Sequence, residues 1–343
     1  MLSLITPVIA LISVPFAAAW GDLGHETVGY IAQNFVKSST KSWAQRTLDD
    51  SSSSYLANAS TWADSYKYTD EGAFSAPFHY IDAEDNPPKT CNVHFDRDCG
   101  DAGCSVSAIA NYTLRVQNVD GDLSGEEVGD ALKFLIHFLG DITQPLHDEA
   151  FEVGGNEVNV TFDGEDTNLH SIWDTEMPEQ LRGGYELSDA EAWANNLTAE
   201  IKTGAFRNHS AQWLEGLDIG DAKASAMIWA RDANKFVCSV VMPNNVTELE
   251  SGDLYPEYYH SAIGTVELQI AKAGYRLAKW LDGLADKQAS ASDNEKLILR
   301  DARDMDNTWR QAYLVPHPTK SLQRLRREAV GWGCSHNHKH QHS

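Results

Sequence analysis

Two stretches decide how this chain is read: His137-Phe-Leu-Gly-Asp141-Ile-Thr-Gln-Pro-Leu-His147 and, beyond a glycine-rich loop, Asn168-Leu-His170-Ser-Ile-Trp-Asp174. His137 and Asp141 are four residues apart, and so are His170 and Asp174. On a helix such pairs project from one side. An imidazole and a carboxylate offered together suit zinc. One such pair is usually an ordinary polar pair on a helix face. Two pairs with His147 between them, set in apolar sequence, point to metal.

Outward from that centre the pattern is mostly helical. Residues 26–50 carry apolar positions at Val28, Ile31, Ala32 and Phe35, and predict a helix. Residues 105–120, 126–142, 188–206, 221–238 and 257–284 also read as helices. Trp193, Trp229 and Trp280 lie in apolar settings within the last three, as core residues do. Ser51 to Ser54 form a polar break, and Pro145 a break before His147. Val153-Gly154-Gly155-Asn156 is a turn where backbone can approach a ligand closely. Residues 156–162 alternate and predict one strand of a small hairpin.

Four further segments carry candidate ligands or contacts. In Ser60-Thr61-Trp62-Ala63-Asp64-Ser65-Tyr66-Lys67, Ser60 or Thr61 is placed to cap a helix. That helix bears Asp64, a candidate ligand, and Lys67, a candidate phosphate contact; without a metal nearby they read as a surface ion pair. Phe78-His79-Tyr80-Ile81-Asp82 alternates as a strand does. It offers His79 to a metal, the Tyr80 ring to a base, and the Asp82 carboxylate to a base edge. His94, His209 and His260 have no such context and read as structural or surface residues. The tail ending His336-Asn337-His338-Lys339-His340-Gln341-His342 reads as a disordered polar segment with weak metal affinity at most.

The opening run, Met1 to Ala19, is apolar, broken by Pro7 and Pro15, and ends in Ala17-Ala18-Ala19. It resembles a signal peptide, though the usual leading positive charge is missing. Cleavage there exposes Trp20, whose α-amino group and carbonyl can chelate a metal, with His25 one turn on. Cys91, Cys99, Cys104 and Cys238 can form two disulfides in an oxidising compartment, with Cys334 left over. Cys99 and Cys104 are close enough for a local loop, and Cys91 then pairs most simply with Cys238; a C-x4-C zinc knuckle is the rival reading. Sequons at Asn58, Asn111, Asn159, Asn196, Asn208 and Asn245 predict glycans. The net charge of -23 argues against nucleic-acid binding through a broad basic surface. An anionic substrate is still compatible, because bound zinc reverses the local sign. The acidic surface also suggests work at mildly acid pH.

Taken together, the segments W-G-x-x-G-H, W-A-D-x-Y-K, F-H-Y-I-D, H-x-x-x-D-x-x-x-P-L-H and N-L-H-x-x-W-D resemble the fungal and plant zinc-dependent single-strand nucleases. The resemblance runs from Trp20 to about Ala285. It implies a mainly α fold: one helical domain of the zinc-phospholipase-C/nuclease kind over 20–285 with a small β-hairpin. Residues 286–343 are left as a partly disordered C-terminal extension of open role. It also implies three zinc ions. One is taken by Asp64, His79, His137 and Asp141. A second takes the Trp20 amino group and carbonyl with His25 and shares Asp141. The third takes His147, His170 and Asp174. The implied base pocket has Tyr80 and Val153 on its faces and Asp82 and Asn156 at its edge. Lys67 falls beside the scissile phosphate. The Cys91–Cys238 and Cys99–Cys104 bridges match the family.

Two departures stand out. The loop before N-L-H reads Asp163-Gly164-Glu165-Asp166, without the aromatic that some members use for a second base site; Tyr185 is the available substitute. The tail is also longer than the usual domain. The expectation is a secreted, monomeric endonuclease cutting single-stranded DNA and RNA to 5′-phosphates, with 3′-nucleotidase activity. The alternatives are a secreted zinc-dependent phospholipase C and a non-catalytic zinc-binding protein. Tyr80, Asp82 and Asn156 favour a nucleobase over a lipid.

Overall fold

The structure, a computed structural model, describes residues 20–293. The expected leader, Cys334 and the histidine tail lie outside the described residues. Among the described residues thirteen α-helices and one hairpin follow in chain order. α1 (Asp22–Phe35), α2 (Ser38–Leu48), α3 (Tyr55–Ser60) and α4 (Trp62–Tyr66) come first. A 3-10 segment (Ala73–His79) and α5 (Phe95–Asp98) lead to α6 (Ser105–Gln117) and α7 (Gly125–Asp141). A second 3-10 turn (Pro145–Asp148) precedes strands β1 (Asn159–Phe162) and β2 (Glu165–Asn168), paired antiparallel. α8 (Leu169–Ser171) runs through a π turn (Ile172–Glu176) into α9 (Met177–Arg182). α10 (Leu187–Lys202), α11 (Ala222–Phe236), α12 (Val246–Leu249) and α13 (Glu257–Asp293) complete it.

The core forms where α1 packs on α13, α10 and α3, and α7 on α6, α13, α2 and α3. Trp193, Trp229 and Trp280 are fully buried there, as the sequence predicts. α7 begins on a capping box: Ser124 Oγ accepts from Glu127 N, and Ser124 N donates to Glu127 Oε2 at 2.9 Å. Glu126 and Glu127 also complement the positive end of its dipole. α7 is therefore a well-started rod, and its last turn carries His137 and Asp141 into the core. Among the described residues no helix is long and apolar enough to cross a membrane.

The mainly α class and the small hairpin are as predicted; several local readings change. The single helix over 26–50 is two, because Val36 turns extended and Lys37 N and Thr40 Oγ1 both donate to the buried Asp282 carboxylate. The last helix continues past 284 to Asp293. Neither Ser60 nor Thr61 caps α4 through its side chain. α3 runs almost directly into α4, and Ser60 Oγ donates back to Ala57 O. The segment 78–82 is not a strand: it leaves a 3-10 turn and makes isolated backbone bonds, Ile81 N to His147 O and Ser105 N to Tyr80 O, each 2.8 Å. From His79 on its alternation is real but reports burial, with His79, Ile81 and Ala83 inside and Tyr80 and Asp82 outside; Phe78 is buried out of step.

Both expected disulfides form, Cys91–Cys238 and Cys99–Cys104, which removes the zinc-knuckle reading. The first closes 147 residues of chain, for which chain entropy predicts about 5 kcal/mol of stabilisation. One expected glycan is corrected. Asn111 is only 2% exposed on α6, so its amide has no room for a sugar. Asn58, Asn159, Asn196, Asn208 and Asn245 are exposed.

Candidate metal centre

Residues from across the chain converge on the end of α7. His25 comes from α1, Asp64 from α4, His79 from the close of the 3-10 segment, and His137 and Asp141 from α7. All are buried, with Asp64 the most exposed at 7%. Asp141 sits at the centre. Its Oδ2 lies 3.1 Å from His79 Nδ1 and 3.2 Å from His137 Nε2, while its Oδ1 lies 3.1 Å from His25 Nε2. Asp64 Oδ1 stands 3.5 Å from both His79 Nδ1 and His137 Nε2. The two Asp141 oxygens thus face two different groups of nitrogens, the arrangement of a bridging carboxylate.

Room for His25 comes from Gly140. A Cβ there would stand 2.9 Å from His25 Nδ1, so the His25 ring can lie flat against the His137 ring, 3.9 Å between centroids.

A second cluster adjoins. His147 Nε2 is 3.1 Å from His170 Nε2, which is 3.0 Å from Asp174 Oδ2. The four-residue spacing of His170 and Asp174 does bring them together, though through α8 and the π turn rather than a plain α-helix. Such widened turns recur at functional sites. Gln144 Nε2 donates to Asp174 Oδ1 at 2.7 Å and fixes the carboxylate. Gly21 N donates to Asp174 O at 2.8 Å, which anchors the start of the described chain to this cluster. Trp20 is fully buried beside it, its indole N–H donating to Thr143 Oγ1.

Hydrogen bonds behind the rings say which nitrogens face inward. His137 Nδ1 donates to Ser60 O at 2.6 Å, His147 Nδ1 to His79 O at 2.7 Å, and His170 Nδ1 to Gly154 O at 2.6 Å. A carbonyl only accepts, so each Nδ1 carries hydrogen and each Nε2 faces into its cluster, where it offers a lone pair once a metal takes the place of any proton there. This is how metal-binding histidines are held. A shared proton would satisfy two facing lone pairs. It would not satisfy Asp141, whose two oxygens are buried without a hydrogen-bond partner, nor the partnerless His25 nitrogens, Asp64 Oδ2 and Asp174 Oδ2. So many buried acceptors in one place are costly unless cations sit among them. The donor set of imidazole and carboxylate fits zinc.

The charges agree. Burial opposes ionisation of Asp141 and Asp64, but with no metal present a protonated His137 outweighs it and holds both carboxyls well below the usual range. Burial lowers and the two carboxylates more strongly raise His137 itself, to about 10; the proton stands where the site calls for a cation. Burial pushes His79 down to about 4, which keeps it neutral and able to ligate. Lys67 Nζ lies 2.6 Å from Asp64 Oδ1; burial works against its charge, and Asp64 more than restores it.

The rim carries the predicted base contacts. Tyr80 and Val153 are 40% and 60% exposed. Each is the chain neighbour of a carbonyl that holds a histidine of the second cluster, His79 O for His147 and Gly154 O for His170. The centre and rim are therefore one construction. Val153 has φ 57°, a strained value for a β-branched residue. Gly154 follows at φ 62°, where a Cβ would meet Leu146 O at 2.8 Å. Asn156 Nδ2 donates to Val153 O and stays partly exposed. Asp82 is exposed at its tip, yet desolvation by the surrounding protein, with Glu84 and Asp98, pushes its carboxyl up to about 6. His94, His209 and His260 are all exposed, away from the clusters. The reading of spacing alone missed Gln144, Gly140 and the Ser60 carbonyl. Their one signal is position: Gln144 and Gly140 lie inside or beside the ligand stretch.

The model of the S1/P1 nuclease family matches residues 20–286. The chain belongs to the S1/P1 nuclease family. It is 57% identical to Nuclease P1 of Penicillium citrinum over 263 residues, 77% of this chain and 97% of that protein. It is 56% identical to Nuclease S1 of Aspergillus oryzae over 268 residues, 78% of this chain and 92% of the relative. Endonuclease 3 of Arabidopsis thaliana is 30% identical over 271 residues, 78% and 89% of the two chains. As a member of the S1/P1 nucleases this chain is a nuclease, a hydrolase, which sets aside the lipase and non-catalytic alternatives.

Proposed function

We propose that the protein is a secreted, monomeric, trinuclear-zinc endonuclease over residues 20–285, followed by an extension. In this reading it cuts single-stranded DNA and RNA to 5′-phosphate products and also removes the phosphate of 3′-nucleotides. The observation that carries the proposal is Asp141, buried, with one oxygen toward His25 and the other toward His79 and His137. Asp64, His79, His137 and Asp141 would hold one zinc. His25, with the amino group and carbonyl of Trp20 freed by removal of residues 1–19, would share Asp141 for the second. His147, His170 and Asp174 would hold the third.

Bound zinc supplies an activated water at near-neutral pH and draws charge from the phosphate. The chain's own groups do the rest. Asp64, with Oδ2 buried and unpartnered, orients the attacking water. Lys67 offsets the negative charge that builds on the phosphate. Tyr80 and Val153 grip one base, and Asp82 and Asn156 read its edge. A base in a duplex must first be unstacked, at a cost of a few kcal/mol. Aromatic stacking returns only about 1–3 kcal/mol. Unpaired strands are therefore preferred.

The test is metal removal. Chelation should abolish hydrolysis of single-stranded DNA and lower the thermal midpoint, and zinc should restore both at three ions per chain. Hydrolysis by metal-stripped protein would overturn the reading.

A further inference from the structure

Among the described residues five large apolar side chains stand exposed: Tyr68, Tyr80, Val153, Tyr185 and Ile228. Tyr80 and Val153 have a role in the base pocket above. Tyr68, 58% exposed, has none, yet it adjoins the residue placed beside the scissile phosphate. Lys67 Nζ lies over the Tyr68 ring, 5.4 Å from its centroid.

The turn that presents Tyr68 is well tied. Tyr68 N donates to Ser65 O, Thr69 N to Tyr66 O, and Gly72 N and Ala73 N to Thr69 O. Thr69 Oγ1 also donates to Tyr66 O at 2.8 Å. Gly72 is needed there, because a Cβ would fall 1.9 Å from Tyr66 O. A ring on such a turn is pre-ordered, so a ligand loses little entropy in meeting it. Charge attraction does not explain the surface, since Asp70 and Glu71, both exposed, follow directly. What it offers a polyanion is an aromatic face beside a single ammonium.

A phosphodiester has a nucleoside on each side. We propose that Tyr68 is the stacking platform for the nucleoside on the 5′-phosphate side of the scissile bond, while Tyr80 and Val153 hold the one that leaves with the 3′-hydroxyl. The inference rests on the nuclease reading above. It assigns the two sides of the cut to two separate aromatic contacts. Stacking is tolerant of base identity, so Tyr68 favours longer substrates without demanding a sequence.

The experiment compares two diesters that differ only beyond the phosphate: the dinucleotide dApdA and deoxyadenosine 3′-(methyl phosphate). Both fill the Tyr80 pocket, and only the first has a base for Tyr68. In the zinc-loaded protein, Tyr68→Ala should cut the ratio of kcat/KM for dApdA over the methyl ester by about 5- to 150-fold. Tyr68→Phe should keep the wild-type ratio. An unchanged ratio in Tyr68→Ala overturns the inference, as does an equal fall in Tyr68→Phe, which would assign the effect to the hydroxyl. If wild-type protein cleaves neither diester, the nuclease reading fails first and this one with it. Zinc content and thermal midpoint of each variant report folding separately.

Discussion

The buried centre and the exposed rim of this site are built by opposite means. His137 and Asp141 ride the last turn of α7, a long capped helix, and every ligand around them is at least nine-tenths buried. Tyr68 and Val153 stand on turns and Tyr80 on the extended residue that follows the 3-10 segment, each 40% exposed or more. The centre is costly to assemble and admits no slack, because buried carboxylate and imidazole atoms face one another across about 3 Å. The rim costs little and can vary. On the proposed reading, the difference teaches that the centre decides whether a phosphate ester is cut at all, and the rim decides which ester.

Asp141→Asn is the strongest way to break that division. It keeps the shape but removes the charge that faces both groups of nitrogens. Activity should fall about 1,000-fold or more, equally on single-stranded DNA and on 3′-nucleotides. Zinc content, measured on the purified protein, should drop below the wild-type level. A variant with full zinc and near-normal turnover would show that Asp141 does not join the two ligand groups.

Tyr80→Ala attacks the other side of the comparison and should cost less. Loss of one stacked base predicts a fall of about 5- to 150-fold in kcat/KM on single strands, with zinc content and thermal midpoint unchanged. If Tyr80 holds the nucleoside that leaves with the 3′-hydroxyl, as proposed, the loss should extend to 3′-nucleotides. That separates it from Tyr68→Ala, whose effect requires a second base. If Tyr80→Ala lowers zinc content, the rim is not independent of the centre. The His79 carbonyl, which holds His147, would then be the route.

The centre was also the more legible region. Spacing alone pairs His137 with Asp141 and His170 with Asp174, since a helix repeats every 3.6 residues and the chain had to be helical there. Convergence was not legible from spacing. His25 and Asp64 meet α7 only through the packing of α1 and α4 against it, and the resemblance of whole motifs supplied that link. Gln144 and Gly140 escaped because their roles are spatial: one bonds a carboxylate thirty residues on, the other vacates space for a ring from α1. The rim misled in detail. His79 to Ala83 alternates in burial without pairing as a strand, because a chain crossing the protein surface alternates for the same reason a strand does. Asn111 carries a sequon, yet it sits on the inner face of α6, and a three-residue pattern cannot report burial.

The smallest effect belongs to Asp82, and it sharpens the comparison by using pH. Its carboxyl is raised to about 6, chiefly by desolvation and then by Glu84 and Asp98. Above that pH it is an ionised acceptor for base-edge donors; below it the acid is protonated and loses acceptor strength. The sign is therefore fixed: discrimination among bases should be greater above pH 6 and should weaken as pH falls through 6. The zinc ligands cannot produce that signature, because their titration changes turnover on every base together. Asp82→Asn keeps a neutral amide at all pH values and should flatten the ratio of kcat/KM between two bases, with a change of only about 5-fold or so, the size of one modest hydrogen bond. A ratio that still varies with pH in Asp82→Asn would place the titrating group elsewhere on the rim and remove Asp82 from the base edge.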